Sequence, residues 1–284
     1  MITMAGKAVR KWWALFVLPT FAAFIIGFVV PFIMGIYLSF TKFSTVTNSR
    51  WVGLRNYRGV FSDPEFVNAL WRTIAFAIIT TIIVNVFGFA IAYFLTKSIR
   101  GSSLFRSVFF MPNLIGGIIL GYIWLLLING VLAKWGRSIT FSGTYGFWGI
   151  VILVSWQQIG YMMIIYIAGL QSLPGDVLEA AAVDGASKTQ TLFKVTLPLM
   201  MPSITVCTFL TVTNGFKLFD QNLALTNGAP GNTSELLALN IYRTFYGRIG
   251  FEGVGQAKAV VFFLIVGAIV LIQNRLTTSK EVAA

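Results

Sequence analysis

Six long apolar runs are the feature that most constrains what this chain can fold into. A bilayer core of about 30 Å is crossed by a helix of roughly 20 apolar residues, and each run reaches that length. Lipid permits only helices or closed barrels to cross it, and the runs lack the alternation expected of barrel strands. The sequence therefore predicts an all-α membrane protein with six transmembrane helices. The predicted spans are residues 13–39, 70–96, 106–129, 147–169, 198–219 and 258–276.

The composition agrees with a membrane protein and argues against a soluble one. Of the 284 residues, 57% are hydrophobic and 11% are charged, whereas a soluble domain carries about 25% charged residues. We therefore expect a single transmembrane domain over residues 1–284. The net charge of +12 lies in short clusters between the apolar runs. That distribution suits contact with a lipid bilayer, and we expect no nucleic acid as a partner.

The residue types present argue against an enzyme. The chain contains no histidine, which removes the commonest metal ligand and the commonest general base. Its one cysteine, Cys207, lies in an apolar run and can form no disulfide within the chain. No P-loop pattern of the form G-x-x-x-x-G-K-[ST] occurs. We therefore expect no catalytic residue, no metal site and no cofactor in this chain.

The positive charges do not orient the chain by themselves. When both termini are placed on the same side, the Lys and Arg residues outside the spans, Lys280 among them, are equally numerous on the two sides. Cytoplasmic loops normally carry the excess of Lys and Arg, so the orientation signal is weak.

Two segments between the runs carry helix and turn signals. Asp63-Pro64-Glu65 predicts a helix start, with an N-cap and a proline at the first helical position. We expect this helix to lie at the outer membrane interface. Residues 220–257 form the longest predicted loop, with turn chemistry at residues 227–232.

A small-residue segment with acidic groups, residues 179–185, separates the fourth and fifth runs. Asp176 favours the start of a helix, and Gly185 permits the left-handed residue that ends it. Ser187 and Gln190 fit a capping box for a second helix, which we expect to run straight into the fifth span. The sequence thus predicts a helix, a glycine corner and a helix joined to a membrane span. From composition alone, an ordinary re-entrant loop with capped helices is the favoured interpretation.

The fifth span ends in polar residues. Ionisable side chains within a span are costly, so Lys217 and Asp220 are candidates for a function. Their spacing of three residues predicts that they share one helical face, which Asn214 extends. Either the two charges pair with each other and position the helix, or they line a transport pathway.

The fourth span contains hydrogen-bonding and aromatic side chains within its apolar run. Gln157 and Tyr161 share a face and supply an amide, a hydroxyl and an aromatic ring, which makes both candidates for lining a pathway. Gln158 is expected to point elsewhere and contact another helix.

The third span contains breaking and small residues. Pro112-Asn113 and Gly116-Gly117 are expected to loosen the helix, as in the broken helices around transport cavities. Asn113 is therefore another candidate pathway residue. The Gly117-x-x-x-Gly121 pattern is typical of close helix packing.

The spacing of the small-residue segment resembles the coupling-loop signature of bacterial ABC-importer permeases. That signature is Glu-Ala-Ala, three residues, Gly, nine residues and Ile-x-Leu-Pro. Here the residues are Glu179-Ala180-Ala181, Gly185 and Val195-Thr196-Leu197-Pro198, with Val195 in place of Ile. Residues 52–57, 216–220 and 226–231 are similar to carbohydrate-uptake permeases of the maltose and glycerol-phosphate type.

The resemblance implies a type I ABC-importer permease in a bacterial plasma membrane, with both termini on the cytoplasmic side. It implies a cytoplasmic coupling loop over residues 171–197. In that loop five residues would contact an ATPase: Glu179, Ala180, Ala181, Asp184 and Gly185. The implied partners are a second homologous permease forming a heterodimer, two ATPase subunits that hold ATP and Mg, and an extracytoplasmic solute-binding protein. The implied activity is import of sugars, oligosaccharides in particular, by alternating access.

Other functions stay open at this point. The solute could be a sugar phosphate, a polyol or an amino acid. From other classes, an ATPase-independent transporter is disfavoured because repeats and intramembrane carboxylates for ion coupling are not evident. An intramembrane enzyme would have to use a Ser/Lys arrangement, since histidine is absent.

Overall fold

The computed structural model of the chain describes residues 4–45, 47–97 and 100–278, and Lys280 lies outside them. Contacts divide the chain into two compact units. The first contains the residues up to Asp63 together with Ile241–Val261, and the second contains Pro64–Asn240 together with the residues from Phe262 onward. That the whole chain forms one transmembrane domain stays a prediction.

The first unit begins with a long apolar helical stretch. Helix α1 (Met4–Phe24) continues through a π-helical turn (Ile25–Val29) into α2 (Val30–Ser39). Residues Leu15–Ser39 of this stretch have a mean hydropathy of 2.4 and are long enough to cross a membrane.

A short hairpin follows this stretch directly and was not predicted. Strands β1 (Thr41–Phe43) and β2 (Ser49–Trp51) pair antiparallel, and helix α3 (Arg55–Phe61) comes next. Asn56 closes this region because its Nδ2 donates to the carbonyl oxygens of Ser39 and Thr41, at 2.8 Å each.

A buried ion pair also lies within the first unit. Lys258 is fully buried, and its Nζ lies 2.7 Å from Asp63 Oδ2 and 2.8 Å from Thr244 Oγ1. A buried ammonium is tolerated only with such partners, because desolvation of an unpaired charge is costly.

The second unit contains most of the remaining helices. In chain order they are α4 (Pro64–Leu95), α5 (Ser102–Phe110), a 3₁₀ turn (Met111–Leu114), α6 (Gly117–Leu132) and two 3₁₀ turns (Ala133–Trp135, Ile139–Phe141). Then come α7 (Gly143–Gln171), α8 (Gly175–Val183), α9 (Lys188–Thr191), a π-helical turn (Leu192–Thr196), α10 (Leu197–Leu199), α11 (Met201–Phe216) and α12 (Asp220–Leu225). Helices α13 (Leu237–Gly247) and α14 (Glu252–Thr278) each contribute residues to both units.

The core of the second unit lies mainly between α4 and α7. One cluster of buried side chains includes Phe76, Leu120, Ile150 and Val154, and a second includes Val84, Met163, Tyr166 and Cys207. Cys207 is a free, buried cysteine, as its apolar surroundings in the sequence predict.

The predicted helical class and number of spans are confirmed. Within the described residues, five helices are long and apolar enough to cross a membrane, and a bent pair makes a sixth. The five are Leu15–Ser39, Pro64–Leu95, Gly117–Trp135, Gly143–Gln171 and Glu252–Leu276, and the bent pair is Lys188–Leu199 with Met201–Phe216.

Several predicted boundaries are wrong. The third span does not run over 106–129, because the chain breaks between α5 and α6 at the Pro112 and Gly116 positions. The helix that starts at Pro64 is not a separate interfacial helix but is continuous with the second span over 32 residues. The predicted loop 220–257 is largely helical, since α12, α13 and the start of α14 lie in it.

Candidate functional sites: a polar cavity and an exposed helical corner

A polar cavity of about 310 Å³ lies within the second unit. It is lined by Asn113, Gln157, Gln158, Asn214, Lys217, Leu218, Phe219, Asp220 and Gln221. The structure therefore brings together five of the six predicted pathway residues from three separate segments of the chain. The exception is Tyr161, and three further polar or aromatic residues were not predicted to lie there.

Lys217 and Asp220 reach the cavity from a break between helices. Helix α11 ends at Phe216 and α12 begins at Asp220, so the prediction that the two charges share one helical face is wrong. Phe216 and Leu218 are both buried. The backbone leaves the helical conformation at Phe219, with φ of −126° and ψ of −60°.

Both charged side chains are exposed to the cavity. Asn214, Lys217 and Asp220 are all exposed. Among the described residues, neither Lys217 nor Asp220 forms an ion pair. The structure thus argues against mutual pairing, one of the two alternatives that the sequence left open, and pathway lining stays a prediction.

A chain of amide hydrogen bonds crosses the cavity wall. Gln221 Nε2 donates to Gln157 Oε1 at 2.8 Å, and Gln157 Nε2 donates to the carbonyl oxygen of Ile115 at 3.3 Å. Ile115 has an extended backbone between the 3₁₀ turn and α6. The break in the third span therefore exposes a carbonyl that helps hold Gln157, as the Pro and Gly residues there predict.

Gln158 lines the cavity, contrary to the prediction that it contacts another helix. Its Oε1 is buried and has no hydrogen-bond partner within the described part of the protein. A buried acceptor left without a partner costs free energy, so this oxygen is suited to accept a hydrogen bond from a bound molecule.

Tyr161 does not line the cavity because another segment covers its side of α7. Its ring packs against Phe110, with the ring centroids 6.4 Å apart. Beside it, Gly160 lies against the backbone carbonyl of Phe109, where a Cβ atom would not fit. The end of α5 therefore occupies the face of α7 on which Tyr161 was expected to meet a solute.

Close packing between α6 and α12 positions the acidic and amide groups of the cavity. A Cβ atom at Gly117 would lie 2.8 Å from Asp220 Cβ, and one at Gly121 would lie 2.6 Å from Ala224 Cβ. The Gly-x-x-x-Gly pattern thus packs two helices closely, as predicted. Gln221, the residue after Asp220, could not be identified from the sequence because it lies in a segment that resembled a loop.

The segment 171–197 forms the predicted helix, corner and helix. Helix α8 ends in a Schellman motif: the Ala186 N–H donates to the Ala181 carbonyl at 3.0 Å, and the Gly185 N–H donates to the Ala182 carbonyl at 3.1 Å. Gly185 has the left-handed backbone that this motif requires, with φ of +75°.

A capping box starts the next helix, as predicted. The Ser187 N–H donates to Gln190 Oε1 at 2.8 Å, and the Gln190 N–H donates to Ser187 Oγ at 3.3 Å. The continuation is not straight, however. The helical stretch ending at Leu199 meets α11 at a bend of 69°. Two prolines, Pro198 and Pro202, flank the bend and remove the backbone donors that a continuous helix would need.

The corner exposes small, acidic and apolar side chains together. Glu179, Ala180, Asp184 and Gly185 are exposed, and Ala181 is half-buried. Val183 is 87% exposed and Phe193 is 62% exposed. Small residues let another surface approach the backbone, and exposed apolar side chains at such a corner are suited to burial against a partner.

The described residues contain no group of three or more Cys, Asp or Glu side chains placed to hold a metal ion.

Comparison with known proteins relates this geometry to a family. A family model described as "Binding-protein-dependent transport system inner membrane component" matches residues 85–278. The probable starch degradation products transport system permease protein AmyD of Thermoanaerobacterium thermosulfurigenes is 43% identical over 279 residues, covering 95% of each chain. The multiple sugar-binding transport system permease protein MsmF of Streptococcus mutans is 30% identical, covering 97% of this chain and 99% of that protein.

A solved structure shares the fold. A chain from a bacterial ABC transporter involved in the import of the acidic polysaccharide alginate aligns with a TM-score of 0.80 at 18% identity. The alignment covers 98% of this chain and 99% of the other. At that identity the likeness establishes the fold only, and it agrees with the type I importer architecture. The family match and the sequence relatives go further: this multi-pass membrane protein belongs to the family of inner-membrane components of binding-protein-dependent transport systems, and is a permease.

Proposed function

We propose that this permease imports neutral oligosaccharides by alternating access, driven by ATP hydrolysis on separate ATPase subunits. The observation that carries the proposal is the cavity wall of amide, lysine and carboxylate groups. Sugar hydroxyls both donate and accept hydrogen bonds, and such a wall offers both kinds of group. The names of the relatives, which refer to starch degradation products and multiple sugars, support the same class.

The charges of the wall favour a neutral solute over an anionic one. Lys217 and Asp220 line the same cavity, so their formal charges cancel. A phosphorylated or uronic solute would meet the Asp220 carboxylate as well as the Lys217 ammonium. In a site of low dielectric constant, that repulsion would offset much of the attraction.

The exposed corner supports coupling to an ATPase. In this proposal Glu179, Ala180, Ala181, Asp184 and Gly185 contact an ATPase subunit on the cytoplasmic side. The Schellman motif and the capping box make the corner stiff, so a displacement of the corner is passed to α11. Helix α11 ends at Phe216, and Asn214 in its last turn and Lys217 just after it both line the cavity. In this proposal the bend at Met200 connects the movement of the corner to the movement of α11.

The assembly follows from the same proposal. Two ATPase subunits hold ATP and Mg, a second homologous permease completes a heterodimer, and an extracytoplasmic binding protein delivers the sugar. Both termini lie on the cytoplasmic side of a bacterial plasma membrane.

The solute class is tested with the whole transporter in proteoliposomes. The permease pair, the ATPases and the binding protein are reconstituted, and ATP-dependent uptake of labelled maltooligosaccharides, glycerol 3-phosphate and amino acids is measured. We expect uptake of the maltooligosaccharides. ATP-dependent uptake confined to glycerol 3-phosphate or to amino acids would contradict the proposal.

A further inference from the structure

Three exposed cations of the first unit converge on two adjoining cavities. Lys42 lines both cavities, Arg50 lines the one of about 260 Å³, and Arg55 lines the one of about 330 Å³. Gly250 is also common to both linings, so the cavities adjoin. We refer to Lys42, Arg50 and Arg55 as the cation site.

The hairpin register places two of these cations directly opposite each other. Lys42 of β1 pairs with Arg50 of β2. Both side chains lie on the exposed face, because the neighbouring residues Thr41 and Phe43 are buried. Like charges in opposed cross-strand positions destabilise a hairpin unless something neutralises them.

In this unit, as far as the structure describes it, no acidic side chain forms an ion pair with the cation site. The sequence of the unit contains two acidic residues, Asp63 and Glu252. Asp63 pairs with the buried Lys258, and Glu252 Oε1 accepts the N–H of Gly250 at 3.2 Å. Within the part of the chain that the structure describes, none of the three cations of the cation site forms an ion pair. The site therefore fits an external anion.

The position of the site indicates which anion. Strand β1 begins two residues after the candidate span Leu15–Ser39. Trp51, next to Arg50, stacks on Phe40 with centroids 5.3 Å apart and lies 5.9 Å from the Tyr37 ring. Trp51 is 59% exposed and Tyr37 is 53% exposed. Exposed Trp and Tyr side chains at the end of a span lie at the level of the lipid head groups.

We propose that the cation site binds the head-group phosphate of an anionic phospholipid at this end of the first span. The guanidinium groups of Arg50 and Arg55 are suited to paired hydrogen bonds with phosphate oxygens, and Lys42 between them adds a point charge. Bound phosphate removes the repulsion across the hairpin. The inference does not depend on which solute the permease transports.

The test is lipid binding to the purified transporter. Phosphatidylglycerol or phosphatidylcholine is titrated onto the detergent-solubilised complex, and bound lipid is counted by native mass spectrometry. We expect a preference for phosphatidylglycerol. Each cation near an anionic surface contributes about fivefold to binding, so the Lys42→Gln/Arg50→Gln double variant should bind about thirtyfold more weakly. Arg55→Gln alone should lose about fivefold and serves as a second variant if the double variant does not fold.

Arg58→Gln is the matched control. Arg58 is an exposed arginine on α3, the helix of Arg55, but it lines neither cavity. Its replacement should leave the preference for phosphatidylglycerol unchanged. Equal binding of the two lipids by the wild type, or an equal loss in the Arg58→Gln variant, would overturn the proposal.

Two further arms distinguish the source of the anion. Inorganic phosphate added at millimolar concentration should not displace phosphatidylglycerol, and displacement would assign the site to free phosphate. Binding of the solute-binding protein is measured in detergent without phosphatidylglycerol. A loss of that binding in the double variant, with phosphatidylglycerol binding intact, would overturn the lipid assignment in favour of an acidic protein surface.

Discussion

At the scale of residues, the cavity brings together groups that were identified separately in the sequence. Asn113, Gln157 and Lys217 could be identified because polar side chains are costly in an apolar run. The sequence could not show that Tyr161 lies outside the cavity or that Gln158 lines it. The end of α5 covers the face of α7 that carries Tyr161 and leaves Gln158 at the cavity. That contact joins distant segments, and no local pattern reports it.

The charge of Lys217 should contribute to solute binding. Because the ammonium lies exposed in the cavity without an ion pair among the described residues, the Lys217→Met variant loses a charged hydrogen-bond donor. We expect at least tenfold weaker affinity for the sugar. This affinity is measured from the sugar concentration that gives half-maximal stimulation of ATP hydrolysis. Lys134→Met, at an exposed lysine outside the cavity, should have no effect. Unchanged affinity and unchanged maximal stimulation in the Lys217→Met variant would contradict its place in the pathway.

Replacement of Gln158 should affect sugar affinity without affecting the stability of the fold. Its Oε1 has no partner in the described protein, so Gln158→Leu should not lower the unfolding temperature. If the oxygen accepts a hydrogen bond from the sugar, affinity should fall about two- to tenfold. Thr144→Val, at an exposed position of the same helix outside the cavity, is the control. A lower unfolding temperature with normal affinity would show that Gln158 is structural.

At the scale of elements, local signals predicted the ends of helices better than their continuity. The Schellman motif at Gly185 and the capping box at Ser187 each depend on residues within five positions, and both are present. The bend at Met200 lies between Pro198 and Pro202, and the break after Phe216 lies inside the predicted fifth span. The apolar runs cross both positions without interruption, which is why continuous helices were predicted there.

The α6–α12 contact should be intolerant of added volume. A Cβ atom at Gly121 would lie 2.6 Å from Ala224 Cβ, so Gly121→Ala forces the helices apart. We expect a loss of about 1–3 kcal/mol in stability, measured by thermal unfolding in detergent. Gly130→Ala lies on the same helix with no atom within 4 Å of the new Cβ. It should leave stability unchanged or raise it by up to about 1 kcal/mol. Equal unfolding temperatures for the two variants would contradict the close contact.

Substitutions in the exposed corner should leave the protein folded but uncouple ATP hydrolysis from uptake. Gly185 has a left-handed backbone but open space around it, so Gly185→Leu costs about 1–2 kcal/mol and places bulk on the corner. We expect a folded complex whose ATP hydrolysis no longer drives uptake, and the same for Glu179→Ala. Gly136→Leu, at a left-handed glycine in open space outside the segment 171–197, is the matched control. Normal ATP-dependent uptake in both the Gly185 and Glu179 variants would refute the coupling role.

At the scale of the whole molecule, the bilayer requirement determined what could be predicted. Spans had to be apolar helices of about 20 residues, so class and number followed from the sequence. The hairpin of residues 41–51 and helices α12 and α13 lie outside the apolar runs, where periodicity is weak, and were not predicted. The same requirement makes broken helices informative, because backbone groups freed within a span need protein partners. The Ile115 carbonyl, held by Gln157, is such a case.

The central claim is that this permease moves sugar only when a separate ATPase hydrolyses ATP. The most direct measurement is uptake of labelled maltooligosaccharide by proteoliposomes containing the whole transporter, with the energy source varied. The account predicts that uptake requires ATP with Mg in the ATPase compartment and stops when a non-hydrolysable analogue replaces ATP. It also predicts no effect of collapsing the membrane potential. Uptake that continues without ATP while the membrane potential is maintained would contradict it.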